Sequence, residues 1–244
     1  MAKPRVLHDV YFMKAKAEGF VARSAYKLIE INQKRRIFKR GDCVLDLGCS
    51  PGSWLQVVEN VIGHEGRAVG IDLQEIKADL GPTICTFVGD AFKLDPAELL
   101  DAAGLGQSRQ PDASTNPAAP APANAGAWQI SQLPQDHVWL FDAVISDMAP
   151  NTTGHGDAFL SARLCDSVLD LCPHLLRVGG NLCMKVLEGE PFPELLKRTR
   201  TMFKSAGTIK PAASRDISRE IFIWALSYRG PRRPPRQSND SPRA

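Results

Sequence analysis

The run Asp46-Leu-Gly-Cys-Ser-Pro-Gly52 is the first place in the sequence where residue types and spacing suggest chemistry. It follows the apolar stretch VLDLG and precedes a segment of helical pattern that starts near Ser53 or Trp54. Gly48 and Gly52 let backbone approach a ligand closely, and the helix start beyond them offers N–H groups to an anion or carboxylate. A nicotinamide dinucleotide site would carry G-x-G-x-x-G here. Ser50 and the stiffening Pro51 break that pattern, which leaves a nucleotide-like ligand. Three more acids close apolar runs: Asp72, Asp90 and Asp147. Asp72 suits a ribose diol and Asp90 an adenine amino group, and open α/β sheets bind ligands at this end of their strands. Any one of these acids could be a simple loop cap; the series lines one crevice. Trp54 fits either the core or the flank of that ligand. Lys185 lies between Met184 and Val186 in an apolar strand pattern, where a lysine is costly unless it is paired or reaches solvent.

Positioning these residues requires alternating strands and helices. Residues 21–38 read as a helix with Ala25, Leu28, Ile29 and Ile31 on its apolar face and Lys34, Arg35 and Arg36 as a charged patch. Strands are expected at VLDLG, AVGIDL, TICTFVGD, WLFDAVISD, GGNLCMKVLEG, GTIKPA and REIFIWAL. Helices are expected from Asp95-Pro96 to about Ala103, over 157–176 with Pro173 kinking or restarting it, and over 191–204. This alternation predicts a layered α/β domain with a mostly parallel sheet. Only PAASRDIS separates the last two strands, so they should form an antiparallel hairpin at an edge.

The 244 residues suit one large domain, with 43% hydrophobic and 23% charged residues. The net charge of +3 hides a partition. Residues 1–40 hold eleven Lys/Arg against three acids, 41–228 fourteen against twenty-three, and 229–244 five arginines against Asp240. We read 1–40 as a basic arm and helix integral to the domain at 41–228. Residues 107–127, rich in Ala and Pro, form a flexible insertion, and 229–244 a disordered tail. Basic ends on an acidic body fit a polyanionic partner. Six cysteines without a CxxC pair, and five histidines without ligand spacing, predict neither disulfides nor a metal. No apolar run is long enough to span a bilayer and residues 1–20 lack a secretory pattern, so a cytoplasmic, monomeric protein without a membrane partner is expected.

Five runs taken together, ARSAYKL (22–28), DLGCSPGSW (46–54), SDMAPNTTG (146–154), MKVLEG (184–189) and SREIFIWAL (218–226), resemble the FtsJ-type ribose 2′-O-methyltransferases, most of all those acting on a uridine of bacterial large-subunit ribosomal RNA. The resemblance runs from about residue 10 to 228 and implies a Rossmann-like, S-adenosylmethionine-dependent methyltransferase fold. That fold has a seven-stranded, mostly parallel sheet with an antiparallel last strand and helices on both faces. It implies S-adenosylmethionine as cofactor, held by Gly48, Ser50, Gly52, Trp54, Asp72, Asp90 and Asp147. It also implies a catalytic set of Lys27, Asp147, Lys185 and Glu220, with Lys185 as base. The partner it implies is large-subunit rRNA within the assembled ribosomal subunit.

Such a transfer needs the attacking hydroxyl held in line and its proton removed. A lysine accepts a proton only when neutral; carboxylates oppose that state, and burial or a second lysine favours it. The four residues would therefore titrate as a coupled group. Arg23 and Arg215, next to Lys27 and Glu220 in sequence, are candidate RNA contacts. Pro150 and Asn151 would shape the nucleotide pocket, and Lys34, Arg35 and Arg36 would meet phosphates. Rival readings are a related enzyme acting on tRNA or mitochondrial-type rRNA, an NAD-dependent oxidoreductase, and a non-catalytic RNA-binding assembly protein.

Overall fold

The computed structural model describes residues 10–93, 95–104, 140–150, 156–215 and 218–231. Asn151, the 107–127 insertion and the tail beyond Pro231 lie outside the described residues. In chain order the elements are α1 (Val10–Ala17), α2 (Ala25–Arg35), β1 (Cys43–Leu47), α3 (Ser53–Ile62), β2 (Arg67–Asp72), β3 (Ile84–Val88), α4 (Pro96–Ala102), β4 (Phe141–Ser146), α5 (Asp157–Leu175), β5 (Leu176–Leu187), α6 (Phe192–Met202), β6 (Phe203–Ile209) and β7 (Glu220–Tyr228). The strands form one sheet in the order β3-β2-β1-β4-β5-β7-β6. Pairings from β3 to β5 are parallel, and β7 runs antiparallel to both β5 and β6.

Alternation along each strand divides the apolar residues between two faces. Leu45, Leu47, Val69, Ile71, Leu182 and Met184 join a core with residues of α4, α5 and α6. Val44, Ala68, Ala143, Ile145, Cys183 and Phe222 join a second core with residues of α2 and α3. Helices thus cover both faces. The β6–β7 hairpin forms at the edge, but the last strand is the inner of the two: β7 slots between β5 and β6, leaving β6 outermost.

Several local expectations shift. The predicted helix over 21–38 is shorter, ending where Arg36 takes the left-handed conformation (φ 52°) and donates its N–H to Asn32. α1 adds a helix that its weak apolar periodicity did not signal. Pro173 does not restart α5: it falls in the final turn, and the helix passes directly into β5 after Leu175. α4 opens as read, with Asp95 Oδ1 accepting from Ala97 N–H at 2.8 Å and Pro96 in the first turn. No helix among the described residues is long and apolar enough to cross a membrane.

Candidate active site

The charged groups of interest share the sheet face covered by α2 and α3. Ala143 and Ile145 of β4, Cys183 of β5 and Phe222 of β7 all point into that core. The two-residue period therefore carries Lys185 and Glu220 to the same side, with Asp147 just beyond β4. From above, Lys27 reaches down from the buried side of α2. Its Nζ lies 2.6 Å from Glu220 Oε1, and Lys185 Nζ lies 2.9 Å from Asp147 Oδ1. Lys185 also donates to the Asp147 main-chain carbonyl at 2.5 Å, so it is tied to the strand end rather than to one rotatable carboxylate alone. Lys185 stands opposite Phe222 in the β5–β7 register and Leu187 opposite Glu220, which sets Lys185 and Glu220 on a diagonal.

Side-chain exposure is 10% for Lys27, 13% for Glu220, 9% for Lys185 and 19% for Asp147. Burial alone would raise the Glu220 carboxyl. The Lys27 hydrogen bond and charge, the Lys185 charge and the Ser214 hydroxyl outweigh it and hold Glu220 below the usual carboxylate range. Ser214 Oγ donates to Glu220 Oε1 at 3.0 Å. The Cys165 thiol donates to the Lys185 carbonyl at 3.0 Å, fixing β5 from its other face. The site thus joins two lysine–carboxylate pairs through the diagonal between Lys185 and Glu220.

Asp46 is the surprise. It is fully buried at the end of β1, and neither carboxylate oxygen has a hydrogen-bond partner among the described residues. Burial first, then the charges of Asp147 and Asp72, push its carboxyl well above the ordinary range. Three carboxylates thus gather at the carboxyl ends of β1, β2 and β4. The sequence carries a signal of it: an acid inside VLDLG is as anomalous as Lys185 inside MKVL.

Around this cluster the glycine loop is tightly enclosed. A side chain on Gly48 (φ +82°) would meet Met148, and one on Gly52 (φ +106°) would meet Ile76 and Ala78. Ser50 N–H donates to Asp72 Oδ2 at 3.0 Å, and Asp72 Oδ1 accepts from Gln74 N–H at 2.9 Å. Asp90 caps its own turn through Phe92 N–H and pairs with Lys93 at 3.2 Å. Trp54 is placed in the core, with its indole N–H on the Ser24 carbonyl and its ring tilted over Phe222.

The predicted RNA contacts separate. Arg23 precedes Ser24, whose hydroxyl meets Ser53 Oγ at 2.8 Å, and Arg215 is exposed beside Ser214; both flank the site. Pro150 is half-buried in the segment after Asp147. Lys34, Arg35 and Arg36 are not brought there. They occupy the far end of α2, eight or so residues from Lys27, or about 12 Å along the helix. Lys34 pairs with Glu30, and Arg35 lies 4.3 Å from the Trp224 ring. The sequence put these residues and Lys27 in one helix; helix rise put them at opposite ends of it. Among the described residues, no group of three or more His, Cys, Asp or Glu side chains is placed to hold a metal.

A sequence model of the FtsJ-like methyltransferases matches residues 20–228. The ribosomal RNA large subunit methyltransferase E of Desulforapulum autotrophicum is 37% identical over 220 residues, covering 89% of this chain and 91% of that protein. The protein of the same name from Pseudomonas aeruginosa is 36% identical over 226 residues, covering 91% and 92%. A crystal structure described as a ribosomal RNA methyltransferase of Plasmodium falciparum shares the fold, with a TM-score of 0.60 at 24% identity over 87% of this chain and all of that one.

Proposed function

The chain belongs to the FtsJ-like methyltransferase family, and we propose from that premise that it methylates the ribose 2′-hydroxyl of a uridine in large-subunit (23S-type) ribosomal RNA, with S-adenosylmethionine as donor. The observation that carries this reading is the pair of buried ion pairs, Lys27–Glu220 and Lys185–Asp147, assembled beside the glycine loop at the carboxyl edge of the sheet.

The residues present fit the cofactor. The unpartnered Asp46 carboxyl and the neighbouring Asp72 and Asp147 form an acidic end suited to a ligand carrying ammonium and sulfonium charges. Bound there, S-adenosylmethionine supplies an activated methyl group on a positively charged sulfur. Asp72, at the end of β2, and Asp90, just beyond β3, would hold its ribose and adenine, and the Gly48–Gly52 loop would cradle its amino-acid end.

The chain's own work is positioning and proton removal. Lys185, held to Asp147 through both side chain and main chain, would act as base in its neutral amine form, taking the 2′-hydroxyl proton at Nζ while the oxygen–methyl bond forms and the donor's methyl–sulfur bond breaks. Asp147 stabilises the resulting ammonium. Lys27, locked to Glu220, places a second positive charge near the oxygen as negative charge develops on it. Arg23 and Arg215 flank the entrance, where they would grip phosphates next to the target nucleotide. The same reading puts the protein at work in the cytoplasm, as a monomer on the assembled large subunit.

Incubating the protein with labelled S-adenosylmethionine and undermethylated large ribosomal subunits, followed by nucleotide mapping, tests this reading. Label at a single uridine ribose of the large-subunit rRNA is expected; label only on tRNA, or none, would contradict it.

A further inference from the structure

The far end of α2 opens onto a cleft of about 830 Å³ at the opposite edge of the sheet from the two ion pairs. Its rim is strongly cationic: Arg35, Arg36, Lys39 and Arg40 come from the end of α2 and the turn after it, and Arg177 from the start of β5. Asp42 is the acid among its lining residues. Arg40 is paired with Glu65 and Arg177 with Asp142, while Arg36 and Lys39 make no ion pair among the described residues. Hydrogen bonds tie the scaffold beneath together. Asn181 donates from Nδ2 to the Ile37 carbonyl at 2.9 Å and accepts from Ser227 N–H at 3.1 Å, bonding the turn to β5 and β7.

Arg36 is the telling residue. It ends α2 at φ 52°, a left-handed conformation that glycine or asparagine adopts at lower cost. The turn therefore does not explain an arginine there, whereas an exposed cation aimed over a cleft does. Open shape, cations from separate segments and guanidinium groups able to grip two oxygens at once favour an extended polyanion over a small buried ligand. From Asn181 to Lys185 the strand rises about 13 Å, so a polynucleotide of a few stacked residues, at about 3.4 Å each, covers that distance.

We propose that this cleft is a second RNA anchor, binding backbone phosphates of the ribosomal RNA away from the modified nucleotide. The inference rests on the RNA-methylating function proposed above. The anchor adds affinity and register without touching the reaction.

The test is the triple variant Arg36→Gly, Lys39→Gln, Arg40→Gln. Glycine suits the turn at position 36, so the variant should fold with unchanged or higher thermal stability. Its binding to protein-free large-subunit rRNA should weaken at least tenfold, and the slope of log affinity against log salt should shrink by about two to three. KM for RNA should rise while the rate at saturating RNA and S-adenosylmethionine affinity stay at wild-type values. Unchanged RNA affinity and salt slope would overturn the proposal. So would a loss seen only with assembled subunits and not with naked rRNA, which would assign the cleft to a ribosomal protein. Failure of the underlying function would show instead as absence of RNA methylation by the wild-type protein.

Discussion

At the carboxyl edge of the sheet, Lys27, Lys185, Asp147 and Glu220 keep 9–19% of their side-chain surface and are each tied to another member of the group. At the amino edge, one helix length away, Arg36, Lys39 and Arg40 stand exposed, and among the described residues only the last of them has an ion-pair partner. Both edges are rich in charge, but its physical condition differs. Desolvated, mutually oriented charges act strongly on a reacting atom and cost stability if one is removed. Exposed cations act weakly and exchangeably, suited to holding a long polyanion in place. On the readings proposed above, one sheet carries a reacting site at one edge and a holding site at the other.

Substitutions can break that comparison at several depths. The largest effect is expected from Lys185→Ala, which should lower single-turnover methyl transfer by roughly 10²–10⁴-fold. S-adenosylmethionine binding, measured by calorimetry, should stay near wild type. Near-normal transfer would remove Lys185 from the chemistry.

Next in size is the Lys27–Glu220 pair. Glu220→Ala strands Lys27 in a buried position and should cost about 3 kcal/mol, seen as a lower midpoint in urea unfolding. Replacing both, as Lys27→Met with Glu220→Leu, should recover most of the stability without recovering transfer. Recovery of activity in the double variant would mean that the pair only supports the fold.

Asp46 sharpens the account differently, because there function and stability should move in opposite directions. Its folded-state pKa is raised, so the native protein binds this proton more tightly than the unfolded chain does. Below an ordinary carboxylate pKa of about 3.9 the group is neutral in both states and has no effect. Above that value the unfolded chain ionises more readily, and Asp46 lowers native stability increasingly until pH passes its folded pKa. Asp46→Asn should therefore raise the Tm of the ligand-free protein near neutral pH by at least about 2–4 °C, the equivalent of about 1 kcal/mol at this size. That gain should vanish below about pH 4. S-adenosylmethionine affinity should drop about tenfold, the size of one lost charge-assisted hydrogen bond. A pH-independent Tm difference would show that Asp46 does not titrate as the structure implies.

The smallest effect is expected far from both edges. Arg198 bridges α6 to Asp166 and Asp170 of α5 on a solvent-facing surface. Arg198→Ala should cost no more than about 1 kcal/mol and leave methyl transfer unchanged.

Much of this arrangement could be read from residue order alone. Acids at or just past strand ends (Asp72, Asp90 and Asp147), the glycine loop, and a lysine inside MKVL are local patterns, and the structure sets them along the carboxyl edge of the sheet. The insertion of β7 between β5 and β6 was not legible, because hairpin spacing fixes which strands pair but not which lies outermost. Arg177 and Asn181 could not be linked to Lys39 from sequence, since only the β4–β5 crossover brings them to the turn after α2. The unpaired state of Asp46 was equally hidden: an acid in an apolar run is visible, but the absence of a partner is a property of the packed site.

The most direct measurement is methyl-transfer kinetics of the Lys185→Ala variant and the amino-edge triple variant, each across a range of rRNA concentrations. The first should lose kcat at every RNA concentration, while the second should raise KM and reach the wild-type rate at saturation. Equal losses of kcat in both, or a Lys185 variant that differs only in KM, would contradict the division between a reacting edge and a holding edge.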